Sequence, residues 1–212
     1  MTQDFKTDQE SFWAGSFGQD YVERNKNEEL LQHKTYWLAR ILARTNGLQS
    51  FIEFGANIGL NCLALRSIFP GVESSAVEIN ATAAQKLRMI QGLEVHQQSV
   101  LQFQPQRQRD LVLTMGFLIH VNPDALHEVY AVMARTSKRY VCIIEYYNPK
   151  PVSIDYRGEK DKLFKRDFAG DFTIAHPEFK LLDYGFVYHR DAHHPLDDLN
   201  WFLLEKSPDG LH

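Results

Sequence analysis

Apolar positions fall into two textures along the chain, short unbroken runs and longer periodic ones. The runs at Ser50–Phe54, Glu73–Ile79, Gly92–His96, Asp110–Met115 and Arg139–Glu145 are apolar almost throughout and predict buried strands. Between them, apolar residues recur three and four apart, which predicts helices over Asn27–Arg44, Asn61–Phe69, the stretch capped by Asn80 and running through Leu87 and Ile90, and Pro123–Ser137. In the first of these the stripe reads Leu30, Leu31, Lys34, Trp37, Leu38, Ile41 and Leu42, with Gly47 just past the end. Strands and helices thus alternate, as in a parallel sheet covered on both faces.

The rhythm breaks after Glu145. Tyr146–Asp161 is rich in tyrosine, proline and charge and reads as irregular, and Phe164–Phe172 reads as a short helix. Leu181–Tyr188 and Asn200–Glu205 predict two more strands, joined by HRDAHHPLDD. That loop is too short for a crossover helix, so these strands are expected to be antiparallel neighbours. The expectation is a mostly parallel seven-stranded α/β sheet whose last strand is antiparallel.

Residues 1–10 are polar and aperiodic and are expected to fray, with one domain over 11–206 and a tail over 207–212. Within the domain, residues 11–47 form an N-terminal helical cover. Its first part, SFWAGSFGQDYVERN, carries Phe12, Trp13, Phe17 and Tyr21 around Gly15 and Gly18, either as packing for the core or as a lid over a ligand.

A length of 212 residues at 44% hydrophobic content suits one substantial core. The net charge of −4 gives no global attraction to nucleic acid or to an anionic membrane, and no apolar run matches a bilayer, so a soluble, cytoplasmic chain is expected. Cys62 and Cys142 lie in apolar segments and read as buried reduced thiols.

Open parallel sheets bind ligands beyond the carboxyl ends of their strands. The first strand ends in FIEFGANIGLN, where Gly55 and Gly59 permit a sharp turn and close approach of a ligand to the backbone. Asn57 stands where a dinucleotide fingerprint wants glycine, and Glu53 precedes the turn with a charge that repels pyrophosphate and suits an ammonium or sulfonium. Glu78 ends the second strand, where an acid accepts hydrogen bonds from ribose hydroxyls.

EFGANIG resembles the first motif of class I S-adenosylmethionine-dependent methyltransferases, with Asn61 just beyond it a further candidate cofactor contact, and AVEIN, with Glu78 and Ile79, resembles their second. The resemblance implies a Rossmann-like fold with S-adenosylmethionine as cofactor. It places Gln98, Ser99 and Val100 along the adenine, Ser99 standing where many members have aspartate, and Met115, Gly116 and Leu118 beside the methionine portion. The blocks FWAGSFGQDYVERN, TMGFLIHVNPD, EYYNPKPVSIDYRG, KLFKRDFAGDF, DYGFVYHRD and DDLNWFLLEK resemble a methyltransferase family associated with pseudaminic acid biosynthesis. They imply a small-molecule acceptor, an anionic sugar or nucleotide sugar; the net charge and the lack of a bilayer-length apolar run leave no nucleic-acid or membrane partner expected.

Methyl transfer needs an aligned acceptor and, for a hydroxyl or protonated amine, a base. His120 is either that base or a structural histidine; Glu145 and Tyr146 are the next candidates. Tyr147, Asn148, Tyr156, Arg157, Lys165, Arg166 and His189 are candidate acceptor contacts, the basic residues reading either as a carboxylate or phosphate site or as a self-paired surface. Trp13, Tyr21 and Arg24 are candidate cofactor contacts from the aromatic segment, Arg24 toward the cofactor carboxylate. His189, Arg190, His193 and His194 lack ligand spacing, so no metal is expected. Two other readings stay open: a non-catalytic S-adenosylmethionine-binding module and an NAD-dependent nucleotide-sugar oxidoreductase.

Overall fold

The computed structural model describes residues 5–19 and 28–207. Helix α1 (Asp8–Ala14) and helix α2 (Glu28–Ile41) precede strand β1 (Ser50–Phe54), helix α3 (Leu60–Ile68), strand β2 (Glu73–Glu78), helix α4 (Ala81–Arg88) and strand β3 (Leu93–Gln97). Strand β4 (Arg109–Met115), helix α5 (Leu126–Thr136) and strand β5 (Ser137–Glu145) follow. Strands β6 (Val152–Tyr156) and β7 (Glu159–Lys165), helix α6 (Phe168–Ala175) and strands β8 (Phe179–Val187) and β9 (Leu199–Lys206) complete the order.

One seven-stranded sheet runs β3-β2-β1-β4-β5-β9-β8. The pairs from β3 through β5 are parallel, and β9 is antiparallel to both β5 and β8. Only β9 therefore runs against the rest, as expected from the short final connection. The order reverses between β1 and β4, which opens a crevice at their carboxyl ends.

Each sheet face has its own core. Phe51 of β1 packs with Trp37, Leu38 and Ile41 of α2 and Cys62 and Leu65 of α3, whereas Ile52 and Phe54 pack with Val129 and Met133 of α5 and Phe168 and Phe172 of α6. Strand periodicity puts Glu53 on the same face as Phe51, against α3. The first helix begins at Asp8, inside the segment expected to fray. Thr7 caps it, accepting the Glu10 N–H while the Glu10 carboxylate returns to the Thr7 N–H, and its Gln9 is buried.

Tyr146–Asp161 is not irregular. It contains β6 and the first part of β7, a hairpin separate from the main sheet. Arg157 and Gly158, at φ +52° and +87°, form a two-residue loop with both residues left-handed, the turn that matches strand twist. Phe164 belongs to β7, and α6 starts only at Phe168, where Asp167 caps it by accepting the Gly170 N–H.

Gly55 has φ +74°, and a Cβ there would lie 2.5 Å from the Phe117 ring. Gly71 has φ +83° with open space around it. Gly55→Ala is therefore expected to destabilise by more than about 1 kcal/mol and by clearly more than Gly71→Ala, because only the first adds a clash to the strained backbone. Thermal or urea unfolding of the two variants checks this.

Candidate functional site

Two cavities lie beyond the carboxyl ends of the strands. The narrower, about 130 Å³, runs from Gly55 and Asn57 past Glu78 and Ile79 to Gln98, Ser99 and Val100, roofed by Thr7, Gln9, Glu10 and Trp13. The wider, about 520 Å³, is bounded by Lys34, Met115, Tyr146, Tyr156, His189 and Asp197 together with apolar side chains. Gly116 and His120 line both, so the two meet there.

Glu78 is buried, and its oxygens accept the N–H groups of Asn57 (2.7 Å) and Asn80 (2.8 Å). Burial raises its carboxyl above the usual range, against the pull of those N–H groups. One carboxylate thus ties the glycine turn after β1 to the start of α4. Asn57 sits at φ +49°, a conformation that asparagine tolerates, and its buried side-chain oxygen has no hydrogen-bond partner. Asn57 itself lines the narrower cavity.

Glu53 lies elsewhere. It is 1% exposed, lines neither cavity, and accepts from Asn61 Nδ2 (2.6 Å) and Cys62 Sγ (3.1 Å) of α3. Direct contact with a cationic ligand, expected from its place before the turn, is therefore not what the structure shows. Its side chain points to the α3 face of the sheet. Burial pushes the carboxyl up to about 7.

Asn61 also stays off both cavities and passes the interaction on: its Oδ1 accepts from Lys34 Nζ at 2.9 Å. Lys34 lines the wider cavity, 3.5 Å from Met115 Sδ, with its ammonium held below its ordinary pKa by burial and supported by Glu53 and Asp197. Sequence reasoning counted Lys34 as part of an apolar stripe. Its signal was the one cation in that stripe.

The segment after β4 forms a single 3-10 turn over Leu118–His120. Glu145, at the end of the adjacent strand β5, accepts the N–H groups of Phe117 and Leu118 at 3.1 Å and of Ile119 at 3.4 Å. It is 2% exposed, lines neither cavity, and burial pushes it up to about 7. Its carboxylate is committed to the turn and not to an acceptor proton. Leu118 is buried in the core rather than beside a cofactor, while Gly116 and Met115 do border the site.

His120 Nδ1 is 2.7 Å from the Lys162 carbonyl. A carbonyl only accepts, so Nδ1 carries the hydrogen and Nε2 keeps its lone pair. The ring packs against Trp13 (4.4 Å between centroids) and Tyr156 (5.1 Å), and burial pushes its pKa down to about 4. A neutral imidazole with an unprotonated nitrogen therefore stands where the cavities meet.

Tyr146 and Tyr156 line the wider cavity, with Lys165 Nζ 4.9 Å from the Tyr146 ring. His189 lines it too and pairs with Asp198 at 2.8 Å. Lys165 does not itself line that cavity, and four other candidate acceptor contacts are not brought there either. Tyr147 packs beside Phe202 at 6.0 Å, Asn148 donates to the Lys150 carbonyl, Arg157 is exposed over the Tyr156 ring at 5.7 Å, and Arg166 pairs with Asp171 at 2.6 Å. Trp13, Gly55, Ile79, Ser99 and Val100 all border the narrower cavity, whereas Gly59 caps α3 at φ +85°. Tyr21 and Arg24 lie outside the described residues. No group of three or more metal-ligating side chains occurs among the described residues, and no helix there is long and apolar enough to cross a membrane.

No protein-family model and no curated protein matches the chain. Solved structures do. The 1,6-didemethyltoxoflavin N1-methyltransferase of Burkholderia thailandensis, solved with S-adenosylhomocysteine, superposes with TM-score 0.69 at 14% identity over 94% of this chain and 87% of that one. An amino pentose methyltransferase from Micromonospora echinaspora gives 0.62 at 11% identity over 90% and 96%, and a sugar N-methyltransferase from a Streptoalloteichus species gives 0.63 at 15% over 98% of each. The chain has the class I S-adenosylmethionine-dependent methyltransferase fold.

The buried carboxyls set a pH dependence. Glu53 and Glu145, raised from 4.5 to about 7 by folding, contribute stability that is complete below the unfolded value and is lost as pH rises through the folded one. His120, lowered from 6.5 to about 4, contributes stability present above 6.5 and lost as pH falls through about 4. Above about pH 6.5 His120 no longer offsets the two carboxyls, so their contribution to stability is expected to fall between about pH 6.5 and about pH 8. Glu145→Gln should flatten that fall, as measured by urea midpoints across the range.

Proposed function

We propose that this protein transfers a methyl group from S-adenosylmethionine to an oxygen or nitrogen of a small, anionic, sugar-derived acceptor, such as a nonulosonate or nucleotide sugar. The observation that carries the reading is the meeting of the two cavities at Gly116 and at the free Nε2 of His120. A binding module has no use for the second cavity.

The narrower cavity fits the cofactor on its own chemistry. Glu78 keeps a lone pair on each oxygen for ribose hydroxyls, Gly55 lets a ligand approach the backbone, and the orphaned Asn57 oxygen suits an ammonium donor. The Lys34 ammonium, in the wall of the adjoining cavity, is a candidate for the cofactor carboxylate, in the role sequence reasoning gave to Arg24. When bound, S-adenosylmethionine supplies an activated methyl group.

The chain's own work is to align the acceptor, take its proton and keep water away. His120 is neutral at working pH and accepts without first losing a proton. Its low basicity matches an acceptor atom whose own proton becomes acidic as the new bond forms. Tyr146 and Tyr156 offer hydroxyls and ring faces to a sugar, and Lys165, over the Tyr146 ring, is the cation beside that wall for its carboxylate or phosphate. The amino pentose and sugar N-methyltransferases among the structural neighbours support a sugar acceptor.

S-adenosylhomocysteine is expected to raise the melting temperature and NAD to leave it unchanged; stabilisation by NAD alone overturns the reading. Labelled S-adenosylmethionine offered with a panel of amino sugars, nonulosonates and nucleotide sugars should yield one methylated product by mass analysis. His120→Ala should lower kcat by about 10²-fold with cofactor affinity little changed. Equal loss of binding and turnover would make the histidine structural.

A further inference from the structure

The far end of the narrower cavity carries an acid that comes from outside the sheet. Ser99, just after β3, offers no carboxylate, yet its hydroxyl donates to Glu10 Oε1, on helix α1. That same hydroxyl accepts the Leu101 N–H at 3.0 Å, so its one hydrogen is committed to Glu10. The other Glu10 oxygen accepts from the Thr7 N–H (2.9 Å) and hydroxyl (3.3 Å). The carboxylate is thus held from two sides, with capacity left on Oε1, and Glu10 lines the cavity beside Gln98, Val100 and Leu101.

Its position relative to Glu78 gives it a meaning. Glu78 pairs with Gln97 across β2 and β3, so Ser99 lies one strand over and two residues further along. A nucleoside with its ribose at Glu78 extends its base in that direction. An exocyclic amine donates to a carboxylate, and a ring carbonyl at the same position is repelled by it.

We infer that Glu10 reads the base of the cofactor, selecting the amine of adenine over the carbonyl of hypoxanthine from the helix that roofs the cavity. The inference rests on the narrower cavity being the cofactor site. It makes α1 part of the recognition surface as well as a cover.

Calorimetry with S-adenosylhomocysteine and with its deaminated analogue S-inosylhomocysteine tests it. Wild type is expected to prefer the adenosyl compound by about tenfold or more, the size of one charge-assisted hydrogen bond. Glu10→Gln keeps the capping box, which glutamine also completes, and its amide both donates and accepts. In that variant the preference is expected to shrink to about threefold or less. Glu10→Ala, measured the same way, gives the ratio if the glutamine variant fails to fold. A wild type that binds both compounds equally, or variants that keep the full preference, overturn the inference and leave the proposed function standing. Failure of wild type to bind either compound overturns both.

Discussion

Three backbone N–H groups converging on the Glu145 carboxylate hold the site in its shape. Because β4 and β5 are parallel neighbours, with Met115 opposite Ile144, an acid that ends β5 lies beside the turn that follows β4. A hydrogen bond contributes about 0.5–1.5 kcal/mol net, and more is lost if one partner is removed and the others stay buried. The turn they fix places the Phe117 ring against Gly55 and carries His120 to the junction of the cavities. Gly55 in turn holds β1 to β2 through its N–H on the Val77 carbonyl, 2.9 Å away. The shape of the cofactor turn thus depends on an acid two strands away.

A second carboxylate acts at a distance for the opposite reason. Glu53 faces α3, and there Asn61 and Cys62 surround it. An unpaired buried charge is costly, and Lys34 answers it through Asn61. What reaches a cavity wall from this network is therefore a lysine. The acid that borders the cofactor crevice directly is Glu78, together with the neutral oxygen of Asn57.

The strands from β1 to β5 and the helices between them were legible because each buries a continuous run or a three-to-four stripe. The β6–β7 hairpin was not. Val152, Ile154 and Tyr156 do alternate with Ser153 and Asp155, but the run is five residues long and mostly exposed, and the partner strand opens on the charged Glu159–Asp161, so no buried face marks the pair. Ile79, Ser99, Val100, Gly116 and His120 were found because they follow strand ends, where topology alone brings them together. Glu53 and Glu145 were misplaced in role although their positions were right. A strand end gives the location of a carboxylate, but the side of the sheet and the N–H groups it meets belong to tertiary structure. Lys34 was hidden by its own context, since a long aliphatic stem packs in an apolar stripe as well as leucine does.

The hairpin and α1 close the site together. Gln9 of α1 donates to the Asp161 carbonyl of β7 at 3.0 Å and accepts from Asn122 at 3.1 Å, and Trp13 and Tyr156 both lie against the His120 ring. Neither segment belongs to the seven-stranded sheet. The sheet therefore supplies the fixed carboxylates and the turn, and the two added segments supply the roof and the hydrogen bond that orients His120, since Lys162 is on β7. An exposed histidine would titrate near neutrality and share its lone pair with water. Packed against Trp13 and Tyr156, the same ring is held neutral with its Nε2 lone pair unprotonated, so its protonation state is a consequence of the added segments rather than of the sheet that carries it.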